Sequence, residues 1–188
     1  MTLTTRETFL AAADRLFYDD GITATGIDAV VRRSGLTKPT LYAHFGSKSA
    51  LVVAVLRRRH EERRAELEAV LDPLPTAEHP LAVLAWLEGF YADRGERGCG
   101  FLNAAAELGD RDPDVREVVQ AEKDWLRALL VGGCAAAGCR WPETVGSQLL
   151  LLVDGVAGRA VVGGRAAGRA AALEAREAAS VLLTAARA

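Results

Sequence analysis

The chain has 188 residues, half of them apolar and 26% charged, a composition that builds a packed core and excludes a disordered or fibrous polymer. Its net charge of −2 conceals a split. Residues 1–64 carry 11 Lys and Arg against 7 Asp and Glu, a net +4, and the remainder carries 12 against 18, a net −6. A basic first third on an acidic remainder points to two tasks in one chain, the first of them meeting a polyanion.

Thr4 with Glu7 three residues on forms a capping box and opens the first helix. Phe9, Ala13, Leu16 and Phe17 fall on one of its faces, and Asp19-Asp20-Gly21 ends it. Thr25 is the expected cap of a short helix over 26–33 with Ile27, Val30 and Val31 as its apolar stripe, and Ser34-Gly35-Leu36 breaks it. Thr37 caps the next helix, 37–45, with Pro39 in the first turn where a missing N–H is harmless. A long helix runs from Lys48 to about Val70, closed by Asp72-Pro73. Further helices are predicted over 80–94, 100–109, from Asp112-Pro113 to about 137, from Pro142 to about Gly164, and over 169–187. No segment shows the period-two alternation of strands, so the expected fold is all-α with about nine helices.

The longest nearly apolar stretch, 145–164, is interrupted by Gln148, Asp154 and Arg159, which speaks against a membrane span. The first residues lead into a charged amphipathic segment, not an apolar signal core, so a cytoplasmic location is expected. Cys99, Cys134 and Cys139 cannot all pair within one chain, and reduced thiols suit that compartment. The 20 Arg against 3 Lys, beside abundant Ala and Gly, read as GC-rich coding. The basic run Arg57, Arg58, Arg59, Arg63 and Arg64, interleaved with Glu61 and Glu62, reads as a solvated helix face or as an electrostatic supplement to polyanion binding.

Two short helices joined by a three-residue turn at Gly35 make a helix-turn-helix. The second is about 12 Å long, at about 1.5 Å per residue, and an α-helix fits the major groove of DNA. Its outward positions are Thr37, Lys38, Thr40, Tyr42 and His44, all hydrogen-bonding types, and its inward positions are Leu41 and Phe45. The run Thr25-Gly-Ile-Asp-Ala-Val-Val-Arg-Arg-Ser-Gly-Leu-Thr-Lys-Pro-Thr-Leu-Tyr-Ala-His-Phe-Gly-Ser-Lys48 resembles the DNA-binding signature of the TetR family of bacterial transcriptional regulators, and with the first helix the likeness spans residues 4 to about 56. The stretch Gly98-Cys-Gly-Phe-Leu-Asn-Ala-Ala-Ala-Glu-Leu108 resembles, less specifically, one seen in C-terminal domains of the family. Val31 and Ser34 stand where the family usually has Ala, and Ser49 where an acidic residue often helps start the fourth helix.

The resemblance implies a helix-turn-helix domain over 1–48 and an effector-binding and dimerisation domain over 49–188. It implies that Thr25 and Lys48 contact phosphates, that Thr37, Lys38, Thr40 and Tyr42 face the groove with Pro39 offering an apolar surface, and that His44 lies near the DNA backbone. Tyr42 at a domain seam and His44 in a surface or capping role are the plainer readings of those two residues. An effector pocket is expected around Trp86, Phe90, Phe101, Asn103, Glu107 and Trp125, although each of these also suits an ordinary core. The helices at about 143–164 and 169–187, rich in Ala and Gly with Leu149–Val153 and Val181–Leu183 between, are expected to form the homodimer that a near-palindromic operator requires. The function expected is a ligand-responsive repressor released by a small apolar effector, repression being the family's commoner mode. Release would follow a population shift in which the long fourth helix pivots. Alternatives are a thiol sensor built on Cys99, Cys134 and Cys139, and a helical interaction module that binds no DNA. No Glu-x-x-His pair, nucleophile constellation or phosphate-cradling loop suggests an enzyme, and no metal or cofactor is implied.

Overall fold

The Thr4 hydroxyl accepts a hydrogen bond from the Glu7 N–H (3.3 Å) while the Glu7 carboxylate accepts from the Thr4 N–H (2.7 Å), so the first helix opens as its sequence dictates. The structure is a computed structural model, and it describes residues 3–187. The helices are α1 (Thr5–Asp19), α2 (Ile27–Ser34), α3 (Lys38–Phe45), α4 (Lys48–Leu71), α5 (His79–Asp93), α6 (Gly100–Leu108) and α7 (Pro113–Ala136), with a single 3₁₀ turn, Thr76–Glu78, ahead of α5. A last helical stretch, Pro142–Arg187, is broken at Gly164 (φ 70°, ψ −167°), and we treat its halves as α8 (142–163) and α9 (165–187). There is no strand among the described residues, and the all-α expectation holds. The break falls at one residue. The gap expected over 165–168 is helical, because Arg165, Ala166 and Ala167 are good helix formers and only Gly164 leaves the helical region.

The chain gathers into two compact units. One runs through Glu61 and takes up Gly100–Gln120, so it extends past the 1–48 segment expected for DNA reading to include part of α4, all of α6 and the start of α7. Its core joins Phe9, Ala13, Val30, Leu41, Leu51, Phe101, Ala104 and Val115, each at most 1% exposed. The other unit holds Glu62–Cys99 and the chain from Ala121 onward. There α5 packs along α8 and α9, burying Leu84, Tyr91, Leu149, Ala160, Ala172 and Ala179.

Small residues set the closeness of that packing. A Cβ on Gly168 would stand 2.8 Å from the Ala160 methyl and 2.9 Å from the Tyr91 ring. Part of the Ala-rich surface expected between subunits is therefore core within one chain: Ala157, Ala160, Leu149, Val153 and Leu183 are all buried. Large apolar side chains on the outward face of the same helices are Leu151 (70% exposed), Val161, Val162 and Val181, beside the exposed Gly155, Gly158 and Gly163. By length and composition Pro142–Arg187 is long and apolar enough to cross a membrane, and 39% of its most apolar 18-residue window is buried inside the unit.

Candidate nucleic-acid interface

The helix-turn-helix is built by its turn. Gly35 closes α2 in the left-handed region (φ 69°), and its N–H donates to the Val31 carbonyl at 3.1 Å; a side chain there would cost about 1–2 kcal/mol. Ser34 fastens the same corner, donating to the Val31 carbonyl (3.0 Å) and accepting from the Leu36 N–H (3.3 Å). That is the work of one residue at which this chain departs from the family's usual Ala. The cap of α2 is Gly26, without a side-chain bond.

Thr37 caps α3, accepting from the Thr40 N–H (3.4 Å) and sharing a 2.7 Å hydroxyl–hydroxyl bond with Thr40. Pro39 follows in the first turn. Leu41 anchors the helix at 0% exposed, and the Phe45 ring meets Phe9 edge-on at 6.2 Å. The opposite face is open: Thr37, Lys38, Pro39, Tyr42 and His44 are exposed and Thr40 half-buried. Lys38 pairs with Asp28 of α2 at 3.0 Å, and its ammonium is held above the usual range, first by the hydrogen bond to Asp28 and then by that carboxylate's charge. The helix offers hydroxyls, a phenol, an imidazole and a cation along about 12 Å, the donor and acceptor set that reads base edges and phosphates.

Thr25 differs from the expected phosphate contact. It is 3% exposed, and its hydroxyl donates to the Gly21 carbonyl at 2.7 Å with the Leu16 carbonyl at 3.3 Å. A threonine ahead of a helix reads as an exposed cap, but here the hydroxyl is turned inward to close α1. Lys48, the first residue of α4, is half-buried. Burial lowers its ammonium below the usual range, and the charge of Glu107 opposes that shift.

The arginine run divides by partner. Arg58 and Arg59 both reach Asp14, Arg59 also lies over the Tyr18 ring at 4.7 Å, and Arg64 pairs with Glu68 at 2.7 Å. Arg63 pairs at 2.7 Å with Glu122, which is 0% exposed. Arg57 is exposed.

The six residues expected around an effector do not come together in one unit. Phe101, Asn103 and Glu107 belong to the first, where Phe101 is core, Asn103 borders a small cavity with Tyr18 and Val55, and Glu107 accepts hydrogen bonds from the Ile22 and Thr23 amides. Trp86, Phe90 and Trp125 belong to the second. Trp86 and Phe90 lie with ring centres 5.3 Å apart, and Phe90 also carries the Arg94 guanidinium at 4.8 Å. Trp86 borders a narrow cleft with Leu67, Val83, Leu87, Leu126 and Val153. Arg63 and Lys123, paired with Glu122 and Asp154, supply its charged wall. Sequence reasoning missed both pairs, because residues 59 and 31 apart carry no periodic signal.

All three cysteines are buried. Burial, reinforced by the neighbouring Cys139, pushes the Cys134 thiol up to about 11, which keeps it protonated and poorly nucleophilic. Among the described residues no group of three or more His, Cys, Asp or Glu side chains is placed to hold a metal ion.

A short capped helix, anchored by one apolar face and presenting polar groups on the other behind a left-handed glycine turn, defines a helix-turn-helix DNA-binding regulator. Comparison with known proteins agrees. Residues 9–55 match the family described as bacterial regulatory proteins, tetR family. The chain is 47% identical over 53 residues to the HTH-type transcriptional activator FasR of Mycolicibacterium smegmatis, covering 28% of this chain and 24% of FasR. It is 29% identical over 155 residues to the HTH-type transcriptional regulator LmrA of Bacillus subtilis, covering 77% of this chain and 81% of LmrA. The crystal structure of a TetR-family transcriptional regulator from Streptomyces coelicolor superposes with a TM-score of 0.89 at 27% identity, over 97% of this chain and 96% of that one. Residues 9–55 belong to the tetR family of bacterial regulatory proteins, and the whole chain shares the fold of a TetR-family transcriptional regulator.

Proposed function

We propose that the protein is a homodimeric repressor that sits on a near-palindromic operator and leaves it when a small apolar effector binds the second unit. The observation that carries the reading is the exposed polar face of α3 over a fully buried Leu41. Thr37, Lys38, Thr40 and Tyr42 are the groove-facing set, with Pro39 against a thymine methyl, His44 beside the DNA backbone and Lys48 near a phosphate. Thr25 contributes through the fold of the turn.

Two recognition helices related by a twofold axis read half-sites about 34–36 Å apart. The exposed Leu151, Val161, Val162 and Val181 of α8 and α9 supply apolar surface for that pairing. The cleft beside Trp86 is the proposed effector site. Its walls are mostly aliphatic and aromatic, which favours an apolar ligand, and its narrowness means that side chains repack as the ligand enters. A cytoplasmic location goes with this reading.

Selection of bound duplexes from a random pool, followed by release assays with a panel of apolar and aromatic compounds, tests it. The reading expects an enriched inverted repeat with half-sites about one helical turn apart and at least one compound that frees it. Enrichment of a single unrepeated half-site would count against the dimer.

A further inference from the structure

Glu107 stands in the last turn of α6 and reaches a different part of the first unit. Its two carboxylate oxygens accept hydrogen bonds from consecutive backbone amides, Ile22 N–H at 3.1 Å and Thr23 N–H at 2.7 Å, across 85 and 84 residues of sequence. Bonds from amides to an ionised carboxylate are about twice as strong as neutral ones. Gly21 makes room for them, since a Cβ there would stand 3.3 Å from Glu107 Oε1. The turn is fastened a second time where Thr25 donates to the Gly21 carbonyl, immediately before Gly26 caps α2. A second carboxylate from the same stretch of chain acts beyond the other end of the motif. One oxygen of Asp112 accepts from the Ser49 hydroxyl in the first turn of α4, and the other accepts from the Val115 N–H at 3.2 Å. The helix-turn-helix is thus held just before α2 and just after α3 by acidic residues five apart.

Resting on the DNA-reading function above, we propose that Glu107 is a positioning residue for that reading: by gripping the amides of Ile22 and Thr23 it sets the entry of α2 and so the angle at which α3 is offered to the groove. The caps and core anchor of α3 do not depend on it, so losing Glu107 leaves the recognition helix formed but loosely aimed. A loosely aimed helix loses base contacts, which need fixed geometry, and keeps the sequence-independent attraction to phosphates.

The test measures full-length wild type, Glu107→Ala and Glu107→Gln against the selected operator duplex and a scrambled duplex at two salt concentrations, with amide hydrogen exchange read at Ile22, Thr23 and α3. Glu107→Ala is expected to bind the operator about tenfold more weakly while scrambled-duplex affinity and salt slope stay within about twofold. The Ile22 and Thr23 amides should exchange faster and those of α3 should not. Glu107→Gln, which keeps one acceptor oxygen, should fall between. Operator affinity of Glu107→Ala within about twofold of wild type, or an equal loss on both duplexes, would overturn the inference. A wild-type protein with no preference for the operator would overturn the DNA-reading function itself, and this inference with it.

Discussion

Leu41 and Tyr42 are neighbours on α3 that point opposite ways, one fully buried and the other 42% exposed. That alternation was legible in the sequence because an eight-residue helix with one apolar stripe has only one way to lie on a core. Glu107 and Thr25 were not legible. Their partners are backbone groups, and backbone amides and carbonyls leave no mark in the residue pattern. The same applies to Glu122, which reads as one more surface acid on α7 and is in fact buried against Arg63. Removing one partner of a buried pair strands the other charge, so Glu122→Ala is expected to lower unfolding free energy by about 3–5 kcal/mol, measured by chemical denaturation. Glu107 adds a pH dependence. Burial pushes its carboxyl up, but the Thr23 and Ile22 amides and the facing Lys48 outweigh this and hold it below its ordinary 4.5. A carboxyl depressed in the fold contributes stability that is present above its unfolded pKa and lost as pH falls through the folded value. The stability difference between wild type and Glu107→Ala should therefore be constant near neutrality and shrink as pH falls below 4.5, followed by thermal unfolding across an acid series.

Most elements were predictable because their ends carry chemistry. The Thr4–Glu7 box, Thr37 with Pro39, Ser47 ahead of Ala50 and Asp112 ahead of Pro113 each mark a helix start, and the structure uses each side chain as its cap. The 3₁₀ turn at Thr76–Glu78 was missed, being too short to show a period. The division of the last stretch near Gly164 was foreseen, but the gap was drawn too long, because Gly163-Gly164-Arg165-Ala166-Ala167-Gly168 offers three glycines where the break uses one. At φ 70° and ψ −167° that residue occupies a region nearly closed to side chains, and nothing lies within 4 Å of a Cβ built on it. Gly164→Ala should thus carry a purely backbone penalty of about 1–3 kcal/mol, seen as a lower unfolding midpoint. Gly158→Ala, at an exposed helical position with nothing within 4 Å of an added Cβ, serves as the contrast in helix propensity.

For the molecule as a whole, the split between a basic first third and an acidic remainder anticipated two tasks, and the family assignment gives the first of them its partner class. The sequence also pointed to α8 and α9 for the subunit contact, but it assigned the small residues to that contact, and many of them pack against α5 instead. Alanine serves both purposes equally well, so composition could not separate them. Outward stand the small Gly155, Gly158 and Gly163 together with bulky apolar side chains: Val162 is 86% exposed and Leu151 70%. A charge buried at a subunit interface is costly, so the double variant Leu151→Glu, Val162→Glu is expected to shift the mass measured by light scattering from dimer to monomer while helical content is unchanged. Operator binding should fall with it, because a single recognition helix reads only half a site.

The central claim is that the exposed face of α3 reads DNA sequence. Fluorescence anisotropy of the full-length protein on the selected operator and on a scrambled duplex, at two salt concentrations and with Tyr42→Ala in parallel, tests it most directly. The account predicts tight operator binding that weakens with salt, weak binding to the scrambled duplex, and a loss of about 1–3 kcal/mol on the operator alone for Tyr42→Ala. Equal affinity for both duplexes, untouched by Tyr42→Ala, would contradict it.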